Sequence, residues 1–154
     1  MQETNIKEIQ NMDKLETGDH LVLLYEKEVE TLRPLVSFIQ NSIERGEKYL
    51  YIEGDADKDL IISELKNERD DVKELINSRQ LEFLTKEETY ALSDKFEADE
   101  MIKLIKDISE KAIDNGYTGL SITGELSWVL NYKNGKEEII DYEWKLNHKI
   151  FNDL

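Results

Sequence analysis

Short apolar runs alternate along this chain with longer stretches in which apolar residues recur every three or four positions. Residues 20–25 (HLVLLY) are almost continuously apolar, the pattern of a strand buried on both faces. Val29, Leu32, Val36, Ile39 and Ile43 then fall on one helical stripe that ends at Arg45-Gly46, where glycine suits a left-handed helix terminus. Residues 48–53 (KYLYIE) predict a second strand. A helix starting at Asp57 or Asp59 follows, with Leu60, Ile61 and Leu65, a charged break over 67–71, and a resumption at Val72, Leu75 and Ile76. Residues 81–85 (LEFLT) predict a third strand. Met101, Ile105, Ile108 and Ala112 mark a long helix that stops near Asn115-Gly116, before a fourth strand at 119–123 (GLSIT). A short helix at 125–130 and a final one from about Lys136, with Ile139, Tyr142, Leu146 and Ile150 on one face, complete the pattern.

Such alternation predicts an α/β fold of three layers, a mainly parallel sheet of about four strands with helices on both faces. The segment from Arg45 to Asp55 matches that from Asn115 to Glu125 in register. Each has a helix-ending glycine, a strand, then a glycine and an acid, so the two are expected to be equivalent βα units of one sheet. Loops after the carboxyl ends of parallel strands are where ligands normally bind.

Composition narrows the function. The 154 residues fit one domain, and about this length buries roughly 70% of the surface the unfolded chain exposes. Twenty Lys+Arg against 35 Asp+Glu give a net charge of minus 15, which excludes an electrostatic footprint for nucleic acid and disfavours anionic membranes. Without cysteine there is no disulfide, thiolate metal site or Cys nucleophile. No secretory leader or bilayer-length apolar segment is read, so a cytoplasmic location is expected.

The expected strand ends carry Tyr25-Glu26, Glu53-Gly54-Asp55, Thr85 to Glu88 and Thr123-Gly124-Glu125, an edge of carboxylates and hydroxyls. Phosphate binding needs the reverse, and neither GxxxxGK[ST] nor GxGxxG occurs. The same acids also suit helix N-termini. Residues 55–59 (DADKD) open like a calcium loop, but Leu60 and Lys66 replace the glycine and glutamate it needs. His20 and His148 are too few for a metal cluster, and no GxSxG elbow appears, so neither metal, cofactor nor catalytic residue is expected. Trp128, three residues beyond Glu125, would place a large apolar ring beside a carboxylate, with Tyr25, Tyr51 and Tyr90 adding aromatic surface; a core role is the competing reading.

The stretches beginning at GDHLVLLYEKE and ending at RGEKYLYIEGD, with LEFLTKEETY and GYTGLSITGELSW, resemble the MEDS family, the sensory domain of methanogens, methylotrophs and the dichloromethane-responsive regulator. The resemblance spans roughly residues 18–146. It implies a RecA/KaiC-like domain that has lost its phosphate loop and serves as an input module, ahead of histidine-kinase or DNA-binding output. Family members continue into one further strand past the final helix, which implies a single sensory domain over 1–154 lacking that strand, and a strand order of 3-2-4-1. Positions matching the motifs are His20, Tyr25, Glu88, Tyr90, Thr123, Glu125 and Trp128.

The expected function is a non-enzymatic, signal-transducing sensory domain that binds a small organic ligand, such as a hydrocarbon derivative, through Tyr25, Glu26, Tyr90, Thr123, Glu125 and Trp128. A histidine kinase or transcription regulator is the expected output partner, and a homodimer the expected assembly, docked through an uncovered strand edge and the stripe on the last helix. The alternatives are a protein interaction module without a ligand, and a hydrolase using two edge carboxylates.

Overall fold

The computed structural model of the chain describes residues 15–16, 18–23, 26–53, 58–89 and 95–150. Three strands, β1 (Lys48–Glu53), β2 (Leu81–Thr85) and β3 (Leu120–Gly124), form a parallel sheet in the order β2-β1-β3. Tyr51 lies opposite Phe83 on one side and Thr123 on the other. The described residues also hold six α-helices: α1 (Leu32–Glu44), α2 (Lys58–Glu68), α3 (Val72–Asn77), α4 (Lys86–Thr89), α5 (Ala98–Asp114) and α6 (Gly135–Lys145). The chain is thus α/β with a small parallel sheet.

The two-residue period of a strand divides the core. Tyr49 and Tyr51 pack with Leu81, with Leu35, Val36, Ile39 and Ile43 of α1, and with Ile61 and Leu65 of α2. Leu50 and Ile52 pack in a second cluster with Met101, Ile102 and Ile105 of α5, Phe96, Trp128 and Tyr142. The equivalence of the two βα units holds down to their backbone caps. Gly46 and Gly116 take φ of 78° and 90°, and in each unit the next residue's N–H reaches back to the helix, Glu47 to Ser42 and Tyr117 to Ala112, both at 3.1 Å. The charged break at 67–71 separates α2 from α3 as expected.

Two expectations need correction. No strand forms over residues 20–23, where Leu21, Val22 and Leu23 are 47, 59 and 38% exposed; Leu24 and Tyr25 lie outside the described residues. Among the described residues three strands stand where about four were expected, and the 3-2-4 part of the expected order is the part observed. An apolar run signals a tendency to bury, but a strand also needs a neighbour in register to pair its backbone groups. This stretch instead approaches the last helix, where His20 meets Glu143 and Asn147, each at 3.2 Å. The expected stripe on the last helix does not face outward over Ile139, Tyr142 and Leu146, and the side chain of Ile150 lies outside the described residues. Tyr142 and Leu146 are buried against Phe96 and Trp128, and Ile139 packs beside them, whereas Ile140 and Trp144 are exposed. Helical periodicity identifies a face that becomes covered without saying what covers it.

Candidate functional site

Three of the six expected site residues lie at or just after the end of β3 but on two faces of the sheet, Thr123 bonded to Tyr49 on the side of α1 and α2, and Trp128 packed on the side of α5. Thr123 is near the end of the strand, Glu125 follows, and Trp128 lies in a short 3-10 helix, Ser127–Asn131. The Thr123 hydroxyl is hydrogen-bonded to the Tyr49 phenol, which is fully buried; burial pushes that phenol well above its ordinary range despite the opposing Thr123 bond, so it remains neutral. Glu125 Oε1 accepts the Ser127 N–H at 2.7 Å, and the Glu125 carbonyl accepts the Trp128 indole N–H at 2.8 Å. The loop after β3 thus folds around Glu125, and the ring of Trp128 is fixed at its polar end.

The apolar body of Trp128 is only 6% exposed. It meets Phe96 and Tyr132 edge-on at centroid distances of 5.9 and 6.0 Å, and Phe96 meets Tyr142 at 5.7 Å. Lys86, which begins α4 after β2, has its ammonium 6.0 Å from the centre of the Trp128 ring. The ends of β2 and β3, flanking β1, therefore converge on this aromatic cluster.

Glu88 serves its own helix start. The Thr85 N–H donates to Glu88 Oε2 at 2.8 Å, and the Glu88 N–H donates to Thr85 Oγ1 at 3.2 Å, a reciprocal capping pair. Together with Glu125, this gives two of the strand-end acids a capping role, the alternative their position had allowed. Glu26 is exposed and makes no hydrogen bond or ion pair to Thr123, Glu125 or Trp128 among the described residues. Tyr25, Tyr90 and residues 54–57 of the calcium-like stretch lie outside the described residues; Asp59 falls in the first turn of α2.

The opposite edge of the sheet holds polar groups that the sequence reading did not single out. Glu47, which leads into β1, is buried and bound by Arg45 (2.9 and 3.0 Å) and by the Ser121 hydroxyl (2.6 Å). Burial alone would raise its carboxyl; the bonds from Arg45 and Ser121 and the Arg45 charge outweigh that and hold it below the usual range. Lys48, also buried, pairs with Glu82 at 2.7 Å and donates to the carbonyl of Arg79. Glu47 lies beside a helix-ending glycine and reads locally as a surface residue. Only the pairing of β1 with β3 brings Ser121 to it.

With this geometry in place, family comparison identifies the class of domain. Residues 19–154 match the family model described as MEDS, MEthanogen/methylotroph, DcmR Sensory domain. The chain belongs to the MEDS family. No curated protein and no solved structure shows significant similarity to it. Among the described residues no helix is long and apolar enough to cross a membrane.

Proposed function

We propose that this chain is a non-enzymatic sensory domain, RecA/KaiC-like in a three-layer plan, that binds a small organic ligand and reports its occupancy to a histidine-kinase or transcription-regulator partner in the cytoplasm. Membership of a sensory family across residues 19–154 is the observation that carries this reading. The ligand contacts in this reading are Thr123, Glu125 and Trp128, at and just after the end of β3, together with Tyr25, Glu26 and Tyr90. A few polar groups beside aromatic rings suit a hydrocarbon derivative bearing one polar substituent. The non-enzymatic reading is supported by Glu88 and Glu125, each of which spends one carboxylate oxygen on a backbone N–H at the start of a helix.

A ligand moves a sensor only by binding two conformations unequally. Contact with Trp128 provides that lever, because the 3-10 helix carrying it abuts the start of α6: a Cβ added at Gly135 would lie 1.9 Å from the Val129 carbonyl oxygen. A shift at Trp128 is passed to α6, whose Ile140 and Trp144 present an exposed apolar face to an output partner or to a second copy in a homodimer. That face also favours the second reading, an interaction module that binds no metabolite.

Titration with dichloromethane, methanol and methylamine, followed by indole emission, tests the proposal. Saturable quenching that persists in Trp144→Phe and disappears in Trp128→Phe is the expected result. Emission unaffected by any of the three, with a partner protein captured through Ile140 and Trp144, favours the interaction module.

A further inference from the structure

A cleft of about 500 Å³ opens at the edge of the sheet opposite Thr123 and Trp128. Its floor is apolar, formed by Leu50 of β1, Leu84 of β2, and Ile108 and Ala112 of α5. Its rim is cationic. Lys48, Arg79 and Lys111 line it against the single carboxylate of Glu82, in a chain whose net charge is minus 15. Lys48 is neutralised by Glu82, whereas Arg79 and Lys111 are exposed and make no ion pair among the described residues.

We infer that this cleft binds a small organic anion, an apolar body with one carboxylate, whose charge is met by Arg79 and Lys111 and whose body lies on Leu84 and Ile108. The volume is in the range of sites for small organic molecules. Positive potential concentrated in a concave apolar site of an otherwise acidic protein selects for an anion and draws it in. Hydrophobicity alone would give no reason for the two cations. A helix C-terminus favours a nearby cation, and Lys111 sits in the last turn of α5, yet that preference does not require an apolar hollow beneath it.

The backbone adds an independent observation. Among the described residues Arg79 is the one non-glycine residue with positive φ, at 60°. It occupies the corner between α3 and β2, and its carbonyl is held by the buried Lys48 ammonium. Glycine adopts that conformation without strain, whereas arginine there costs some stability. The guanidinium at the cleft mouth is what glycine could not supply.

This site is separate from the surface past β3 and does not rest on the proposal above. Its test is an NMR titration of the whole chain with hexanoate, with hexanol as the uncharged counterpart. Saturable hexanoate shifts centred on residues 79–84 and 108–117 are expected, with hexanol at least tenfold weaker. Arg79→Gly relieves the backbone strain and should fold at least as well as the parent while weakening hexanoate at least fivefold; Lys111→Ala should do the same with unchanged stability. Equal binding of hexanol and hexanoate, unchanged affinity in both variants, or no saturable shift in the cleft each overturns the inference. Shifts confined to 123–128 would assign hexanoate to the other surface and overturn it as well.

Discussion

The hydroxyl of Ser121 donates to the carboxylate of Glu47 at 2.6 Å, joining the residue that leads into β1 to the neighbouring strand β3, 74 positions later. Arg45 holds the same carboxylate from the other side. Because Glu47 is bound more strongly as a carboxylate than as an acid, its folded-state pKa lies below the ordinary value of 4.5. Its contribution to stability is complete above that ordinary value and is lost as pH falls through the lower folded value. Glu47→Gln should therefore cost about 1–3 kcal/mol at pH 7 and progressively less as pH drops below 4.5. Urea denaturation of both proteins across pH 3–7 checks this, and a pH-independent difference would contradict it.

Gly135 carries a different constraint. The start of α6 lies against the Val129 carbonyl, so closely that a methyl group cannot be accommodated without moving the helix from the 3-10 turn. Gly135→Ala should destabilise the domain by roughly 3 kcal/mol, even though alanine favours helix. By contrast, nothing lies within 4 Å of a Cβ built at Gly116, whose cost comes from φ alone. Thermal unfolding of the two alanine variants side by side checks the ranking, with Gly135→Ala the less stable.

Trp128 separates stability from recognition. Its ring is buried against Phe96 and Tyr132, so Trp128→Ala should cost about 3–5 kcal/mol. Trp128→Phe keeps most of the apolar contact and loses the indole bond to the Glu125 carbonyl, and should cost about 1–2 kcal/mol. Denaturant midpoints give both values. A Trp128→Ala protein as stable as the parent would show that the ring contributes little to the core.

These residues also show how far the sequence could be read. Gly46 and Gly116 announced their helix ends because the left-handed terminus is a local requirement, and the break at 67–71 was legible for the same reason. The strand expected at 20–25 failed over its described part because pairing depends on a partner that local pattern does not reveal. Thr123, Glu125 and Trp128 read as neighbours because they are close in sequence around one strand end, but Thr123 turns to Tyr49 on one face and Trp128 to Phe96 on the other, which strand-end position alone does not reveal. Glu47 with Ser121, and Lys48 with Glu82, escaped notice because each pair is created by strand pairing across distant segments.

The exposed side of α6 yields a prediction about assembly. If Ile140 and Trp144 form the contact of a homodimer, the protein should sediment near twice its 18.1 kDa monomer mass at tens of micromolar. Ile140→Glu with Trp144→Glu should return it to monomer without loss of folding, since neither side chain is buried. A parent protein that remains monomeric at that concentration rejects the dimer.

The central claim is that the domain senses a small organic molecule at the ends of its strands and has no use for nucleotide. NMR titration of the full chain with dichloromethane, methanol and methylamine, and separately with ATP and Mg²⁺, tests it most directly. The account predicts saturable shifts centred on Thr123 to Trp128 with at least one of the organic molecules, and none with ATP, since neither GxxxxGK[ST] nor GxGxxG occurs in this sequence to cradle its phosphates. Micromolar binding of ATP at the strand ends, with no response to the organic compounds, would contradict it.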